Sequence, residues 1–348
     1  MTELHDDRRA ATKEERTPIR NVRHAHGHTE RPQGTVSACE DFRLGGDTGQ
    51  ILFTGNGTSY HSALVGSQPA DDMRVRCVQA FELERFMRPS GTIIGISHTG
   101  KTKSTVDALR KHRGKCRTVG ISHYRDSPII RESDTGLVIG NSPDISLCNT
   151  KAFFDNAIAS YILTGNALGA WDDWETVSSI ISRNIPYLDR LGREMAQGIR
   201  VPKRMFVLGG AGPNQVSARE CAQKLKEATH LHAEGIELEE FNHGCTSVID
   251  QETLVIIFST PTVEDRVSDI VRACRETDTE TLVVNGDGDH SMDVPYIDEM
   301  RSPFTYILSV YFFAYHLALR MGINPDYLRF EDERYLRYDS IVFPPGAH

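Results

Sequence analysis

Ile51-Leu-Phe-Thr-Gly-Asn-Gly-Thr-Ser-Tyr60 is the stretch that decides the fold of this chain. Its first four residues form a short apolar run that stops at a glycine turn, as a buried strand does. The turn is rich in hydroxyl groups and opens a helical pattern over 60–65. Thr92-Ile-Ile-Gly-Ile-Ser97 and Cys116-Arg-Thr-Val-Gly-Ile121 repeat the arrangement, with helical patterns over 102–112 and 150–163. A second series starts at Met205-Phe-Val-Leu208 and continues through Leu254-Val-Ile-Ile-Phe258 and Thr281-Leu-Val-Val284, between helical patterns over 215–229, 263–277 and 304–321. Strands alternating with helices need crossover connections, hence parallel sheets covered on both faces. The two series predict an α/β protein of two parallel-sheet α/β/α sandwiches in tandem. They look like a diverged duplication, although internal identity is too weak to prove it.

Composition bounds the rest. The 348 residues suffice for two domains of ordinary size, and 39% hydrophobic with 25% charged residues describes a soluble globular chain. Residues 1–34 are polar, without apolar periodicity, and read as a flexible arm. The domains are expected over 35–185 and 186–322, followed by a tail over 323–348. A net charge of −9 argues against a nucleic-acid surface, which needs many cations to neutralise phosphates. No apolar run approaches the roughly 20 residues of a membrane helix, and 1–32 lacks the features of a secretory signal. The seven cysteines are scattered without a CxxC pair. A cytoplasmic protein with reduced thiols is therefore expected. His24, His26 and His28 alternate in the arm, but without a fourth ligand they read as solvated, and neither a metal nor another cofactor is expected.

Two loops carry the features of an anion site. Gly55-Asn-Gly-Thr-Ser-Tyr60 and Ser97-His-Thr-Gly-Lys-Thr102 each leave the carboxyl end of a strand and open a helix, where backbone N–H groups and hydroxyls converge. One such turn would read as a helix cap; two in register favour phosphate binding. Gly95 to Thr102 also matches the GxxxxGK[ST] nucleotide-binding pattern. Against that reading, Gly95 falls inside the strand, and no strand ending in a magnesium-holding aspartate follows.

A second group lies in the second series. In Lys224-Leu-Lys-Glu227 the outer residues are three apart and share a helix face, an arrangement that is usually a solvated ion pair. His243 follows, in Glu239-Glu-Phe-Asn-His-Gly-Cys245, where the glycine after it marks a turn and a reachable ring. Amine, carboxylate and imidazole together suit proton transfer between adjacent sugar carbons. A carboxylate moves the proton, a cation steadies the enediolate, and a histidine gives and takes a proton near neutrality. His230 and His232 beside Glu234 read as helix-end packing and polar contacts.

These motifs, with Pro128-Ile-Ile-Arg-Glu-Ser-Asp134, Asn149-Thr-Lys-Ala-Phe153, Val294-Pro-Tyr-Ile-Asp-Glu299 and Phe313-Ala-Tyr-His-Leu-Ala-Leu319, resemble successive motifs of the sugar isomerase (SIS) family over roughly 50–325. The likeness is to the isomerase half of glucosamine-6-phosphate synthase and to stand-alone sugar-phosphate deaminases and deglycases. It implies tandem flavodoxin-like SIS domains and a hexose or hexosamine 6-phosphate as substrate. By similarity, Ser59, Ser97, His98, Thr99 and Thr102 would hold the phosphate, with Gly57, Thr58 and Asn149 also at the substrate. Glu227 would shuttle the proton between C1 and C2, Lys224 would assist, and His243 would open the ring from a neighbouring subunit, implying a homodimer with a shared site. The departures matter too. The short arm has Thr2 where the synthase has its glutaminase nucleophile, and no lysine follows Lys226 to form the tail imine. Arg334, Arg337 and Asp339 stand near that place, and a guanidinium is no imine-forming nucleophile. His98 and Lys101 replace the usual glutamine and glutamate, and are expected to add positive or switchable charge beside the phosphate. The reading is a sugar-phosphate isomerase or deaminase without a glutaminase domain. The alternatives are a deglycase acting on a sugar-phosphate–amine adduct and a non-catalytic sugar-phosphate-binding regulator.

Overall fold

The computed structural model describes residues 33–43, 49–68, 74–142, 144, 146, 148–168, 174–210 and 212–343; His24, His26 and His28 lie outside them. The chain forms two compact units, Met1–Asp172 with Arg329–His348, and Asp173–Leu328. In the first unit the elements run α1 (Gln33–Glu40), β1 (Ile51–Gly55), α2 (Thr58–Ser67), β2 (Val75–Gln79), α3 (Ala80–Arg85), β3 (Thr92–Ile96), α4 (Lys103–His112), β4 (Arg117–Ser122), α5 (Pro128–Glu132), β5 (Thr135–Val138) and α6 (Thr150–Leu168). The second unit holds α7 (Trp174–Gly198), β6 (Arg204–Gly209), α8 (Pro213–Thr229), β7 (His232–Glu237), β8 (Thr253–Phe258), α9 (Glu264–Arg275), β9 (Glu280–Val284), β10 (His290–Met292) and α10 (Pro303–Arg320). The closing helix α11 (Glu333–Val342) belongs to the first unit.

Both sheets are wholly parallel, in the orders β2-β1-β3-β4-β5 and β10-β9-β8-β6-β7. Renumbering the second unit's strands from one and reading from the other edge gives 2-1-3-4-5, the order of the first. Each unit is thus a flavodoxin-like α/β sandwich, and the likeness between the two sequence series is a likeness of topology. Every residue of β1, β3 and β8 is buried, which matches their apolar composition. The four strands that the sequence does not announce, β2, β5, β7 and β10, are the four sheet edges. All but one residue in each is exposed or only partly covered, so their composition is mixed; the stretch from His232 to Glu234 is edge strand and not helix end.

Gly95 lies within β3, where an added Cβ would stand 2.7 Å from Leu109 Cδ1 of α4. Its role is close packing of helix on sheet, not the opening of a nucleotide loop. In the second unit, α10 is buried along most of its length and packs against α7 and α8. No helix among the described residues is long and apolar enough to cross a membrane.

Candidate functional site

In an open parallel sheet, ligands bind at the carboxyl ends of the strands where the strand order reverses. In the first unit that point lies between β1 and β3, and the two hydroxyl-rich loops leave these two strands. Gly57, with φ of 51°, turns the chain into α2, while Thr58 is buried and Ser59 half-buried in its first turn. Asn56 Nδ2 donates to Ser104 Oγ at 2.6 Å and to Thr105 Oγ1 at 3.3 Å, tying the first loop to the start of α4. The second loop is braced by Ser97 Oγ and Thr102 Oγ1, 3.0 Å apart. Gly100, at φ of 66°, gives it a bend that a side chain would fill against Ser127 and Ser122. Among the described residues, the N–H groups of His98 and Thr99 meet no acceptor. The structure therefore brings Gly57, Thr58, Ser59, Ser97, Thr99 and Thr102 to one end of one sheet. Asn149 stands before α6 in the left-handed conformation, with φ of 52°.

His98 is in this loop, but its ring is committed elsewhere. Nδ1 contacts His123 Nδ1 at 3.2 Å, and Nε2 faces the Asp144 carbonyl at 3.2 Å. Burial first, and then the like charge of His123, bring its pKa down to about 4, although the Asp144 carboxylate opposes them. The expectation that His98 adds charge beside a phosphate is thereby corrected, because the ring is neutral at physiological pH. What it presents to an anion is its backbone N–H. Lys101 is exposed.

In the second unit, Pro213 opens α8 behind Gly212, and His230 closes it in the left-handed conformation. Lys224 is only 3% exposed, and its Nζ donates to Glu227 Oε2 at 2.8 Å and lies 3.7 Å from Glu220 Oε1. Glu220 is fully buried and accepts from Tyr311 Oη of α10 at 2.7 Å. Glu227 also accepts from Gln223 Nε2 at 2.8 Å, and its side chain remains 22% exposed. The Lys224–Glu227 pair is thus not the solvated pair that its spacing suggests by default. The lysine is buried between two carboxylates, and Glu227 alone of the three reaches solvent appreciably. Burial places the Tyr311 phenol well above its ordinary pKa, reinforced by the Glu220 charge, so it stays a donor. Glu220 and Tyr311 are the functional candidates that the sequence reading missed. Glu220 was within reach of spacing arguments, four positions before Lys224; Tyr311, 91 positions from Glu220, was not.

His243 ends the short 3-10 turn Glu240–Asn242, after which Gly244 takes φ of 137°. The residue is exposed, and its ring has no hydrogen-bond or ion-pair partner among the described residues. The hydrogen-bond partners of Glu227 are Gln223 and Lys224; His243 is not among them.

The SIS domain sequence profile matches the chain twice, over 47–168 and 198–321. The chain belongs to the SIS domain family. Each match falls on one parallel sheet with its helices. Among curated relatives, the glutamine–fructose-6-phosphate aminotransferase (isomerizing) of Methanothermobacter thermautotrophicus is 28% identical over 300 residues, covering 81% of this chain and 50% of that protein. This SIS protein thus spans about half the length of that relative. Among solved structures, glucosamine-6-phosphate deaminase from Thermotoga maritima superposes with a TM-score of 0.73 at 21% identity, covering 88% of this chain and 97% of that one. Tagatose-6-phosphate ketose/aldose isomerase from Escherichia coli does so with a TM-score of 0.71 at 19% identity, covering 88% and 94%. These structural likenesses establish the tandem SIS fold.

Proposed function

We propose that this protein is a sugar-phosphate isomerase or deaminase acting on a hexose or hexosamine 6-phosphate. The observation that carries the reading is the buried Lys224 held between Glu220 and Glu227, with Glu227 open to solvent, in a SIS domain. The relatives named for reactions of fructose 6-phosphate, glucosamine 6-phosphate and tagatose 6-phosphate support the substrate class. The Ser97–Thr102 and Gly57–Ser59 loops hold the phosphate through N–H and hydroxyl groups. Glu227 removes the proton from one of C1 and C2 of the open-chain sugar and returns it to the other, so that no net proton is consumed. Lys224, held between two carboxylates, balances the negative oxygen of the enediolate between these steps. The fully buried Glu220, itself held by Tyr311, fixes the lysine.

Ring opening falls to His243. Its ring, exposed and unbonded among the described residues, is free to serve the site of a second copy, and the working form is read as a homodimer. A cytoplasmic setting suits this metabolic reaction. The test is to incubate the pure protein with a panel of hexose and hexosamine 6-phosphates and to assay ketose and ammonia together. Interconversion without ammonia means isomerisation, and ammonia release means deamination. No turnover and no binding of any member rejects the proposal; binding without turnover leaves the regulator.

A further inference from the structure

Behind the second anion loop, the rings of His98 and His123 lie with centroids 4.6 Å apart and their Nδ1 atoms 3.2 Å apart. The outer nitrogens both face oxygens that only accept. Nε2 of His98 meets the Asp144 carbonyl at 3.2 Å, and Nε2 of His123 meets Asp155 Oδ2 at 3.2 Å. Each outer nitrogen therefore needs a proton, and the inner contact needs one more. Three protons are one more than two neutral imidazoles carry, so hydrogen bonds at all three contacts together call for a single positive charge on the pair.

The surroundings decide which ring holds it. Asp155 of α6 is almost fully buried and accepts from His123, from Lys151 Nζ at 2.7 Å and from Thr35 Oγ1 at 3.0 Å. Its own burial would raise its pKa, but the bond from His123 and the charge of Lys151 outweigh that and bring it down to about 2. The other titratable groups around the pair are Asp144, whose carboxylate accepts from Ser146 and Ala152, the Tyr124 ring edge-on to His98, and the Cys39 thiol near Asp155. The carboxylate within hydrogen-bonding distance belongs to His123, so in this pattern His123 donates from both ring nitrogens, while His98 donates from Nε2 and accepts at Nδ1. The His123 N–H and the Ser122 hydroxyl also donate to the His98 carbonyl, at 3.2 and 3.0 Å. His98 is thus gripped by ring and backbone.

We propose that His123 is a positioning residue for the anion loop: an imidazolium fixed on Asp155, it holds His98 so that the His98 and Thr99 N–H groups and the loop hydroxyls are set for a phosphate. The role rests on the reading that this loop binds a sugar phosphate. The first test is nitrogen NMR of the full-length protein with ring-labelled histidine at neutral pH. It is expected to show His123 doubly protonated, identified by its loss in His123→Asn, and His98 in the Nε2–H form. Two neutral rings overturn the proposal.

The second test is calorimetry with inorganic phosphate. His123→Asn should bind phosphate about tenfold more weakly than the unsubstituted protein, the scale of one charge-assisted hydrogen bond. His98→Gln has an amide oxygen to accept from His123 and an NH2 group to donate to Asp144. It should bind phosphate at least about fivefold more tightly than His98→Leu, which can do neither. Equal affinities in all four proteins overturn the positioning role and leave the sugar-phosphate reading intact. Absence of phosphate binding by the unsubstituted protein defeats both.

Discussion

Glu227 is distinguished from an ordinary surface glutamate by its neighbours, Lys224 and Gln223, which leave the carboxylate fixed yet accessible. Glu227→Gln keeps the shape and can keep the bond to Lys224 through its amide oxygen, but it cannot accept a proton. Turnover is expected to fall by about two to four orders of magnitude with substrate binding largely retained, checked by exchange of the C2 hydrogen with solvent deuterium. Unchanged exchange would remove Glu227 from the mechanism. His98 gives a prediction on stability. Its pKa falls from 6.5 to about 4 on folding, so the unfolded chain binds more protons in that interval. The stability it contributes is complete above 6.5 and is lost as the pH drops toward 4. The denaturation midpoint should decline over that range, and His98→Gln should flatten the decline.

At the scale of elements, the loop between β3 and α4 works because its bend is closed by a glycine. Gly100 has φ of 66°, and a Cβ there would stand 2.2 Å from Ser127 Oγ. Gly100→Ala combines left-handed strain with this clash and is expected to destabilise the protein by about 1 to 3 kcal/mol. It should also weaken binding of phosphorylated sugars, because the Ser97–Thr102 brace spans the same bend. Denaturant titration and calorimetry measure the two effects; unaltered stability would show that the loop relaxes freely. Helix α8 is organised on the same principle of local necessity. Pro213 and His230 set its ends, and between them the helical period stacks Glu220, Lys224 and Glu227 on one face. Burial against α10 then converts that face from a salt-bridged surface into an enclosed charge group, whose members would be costly to leave unpaired.

For the whole molecule, the assembly prediction concerns His243. In a homodimer with shared sites, His243→Ala and Glu227→Gln subunits are each inactive alone, yet in a mixed dimer one site receives both intact residues. Mixing should restore activity toward about half per heterodimer, since half of the sites are whole, and size-exclusion chromatography of the unsubstituted protein should give a dimer. No recovery in verified heterodimers would place both residues in one subunit. His243→Ala should also slow the cyclic substrate far more than an open-chain analogue, because only the former needs its ring opened.

The inner strands could be read directly from the sequence because a strand buried on both faces has to be apolar throughout, as Leu254-Val-Ile-Ile-Phe258 is. The glycine and hydroxyl turns after β1 and β3 were legible for a similar reason, since a helix opening at a strand end leaves its chemistry in consecutive residues. Lys224, Glu227 and their shared helix face followed from spacing. The edge strands β2, β5, β7 and β10 did not, because their pairing comes from an inner neighbour and their partly covered residues show no apolar run. Only the tertiary structure decided what each charge does. Tyr311 meets Glu220 across 91 positions of chain, His123 meets Asp155 across 32, and His98 meets His123 across 25. Burial and partner charge set protonation, and both depend on what the folded chain brings alongside a residue; no window of sequence around His98 contains the groups that hold it neutral.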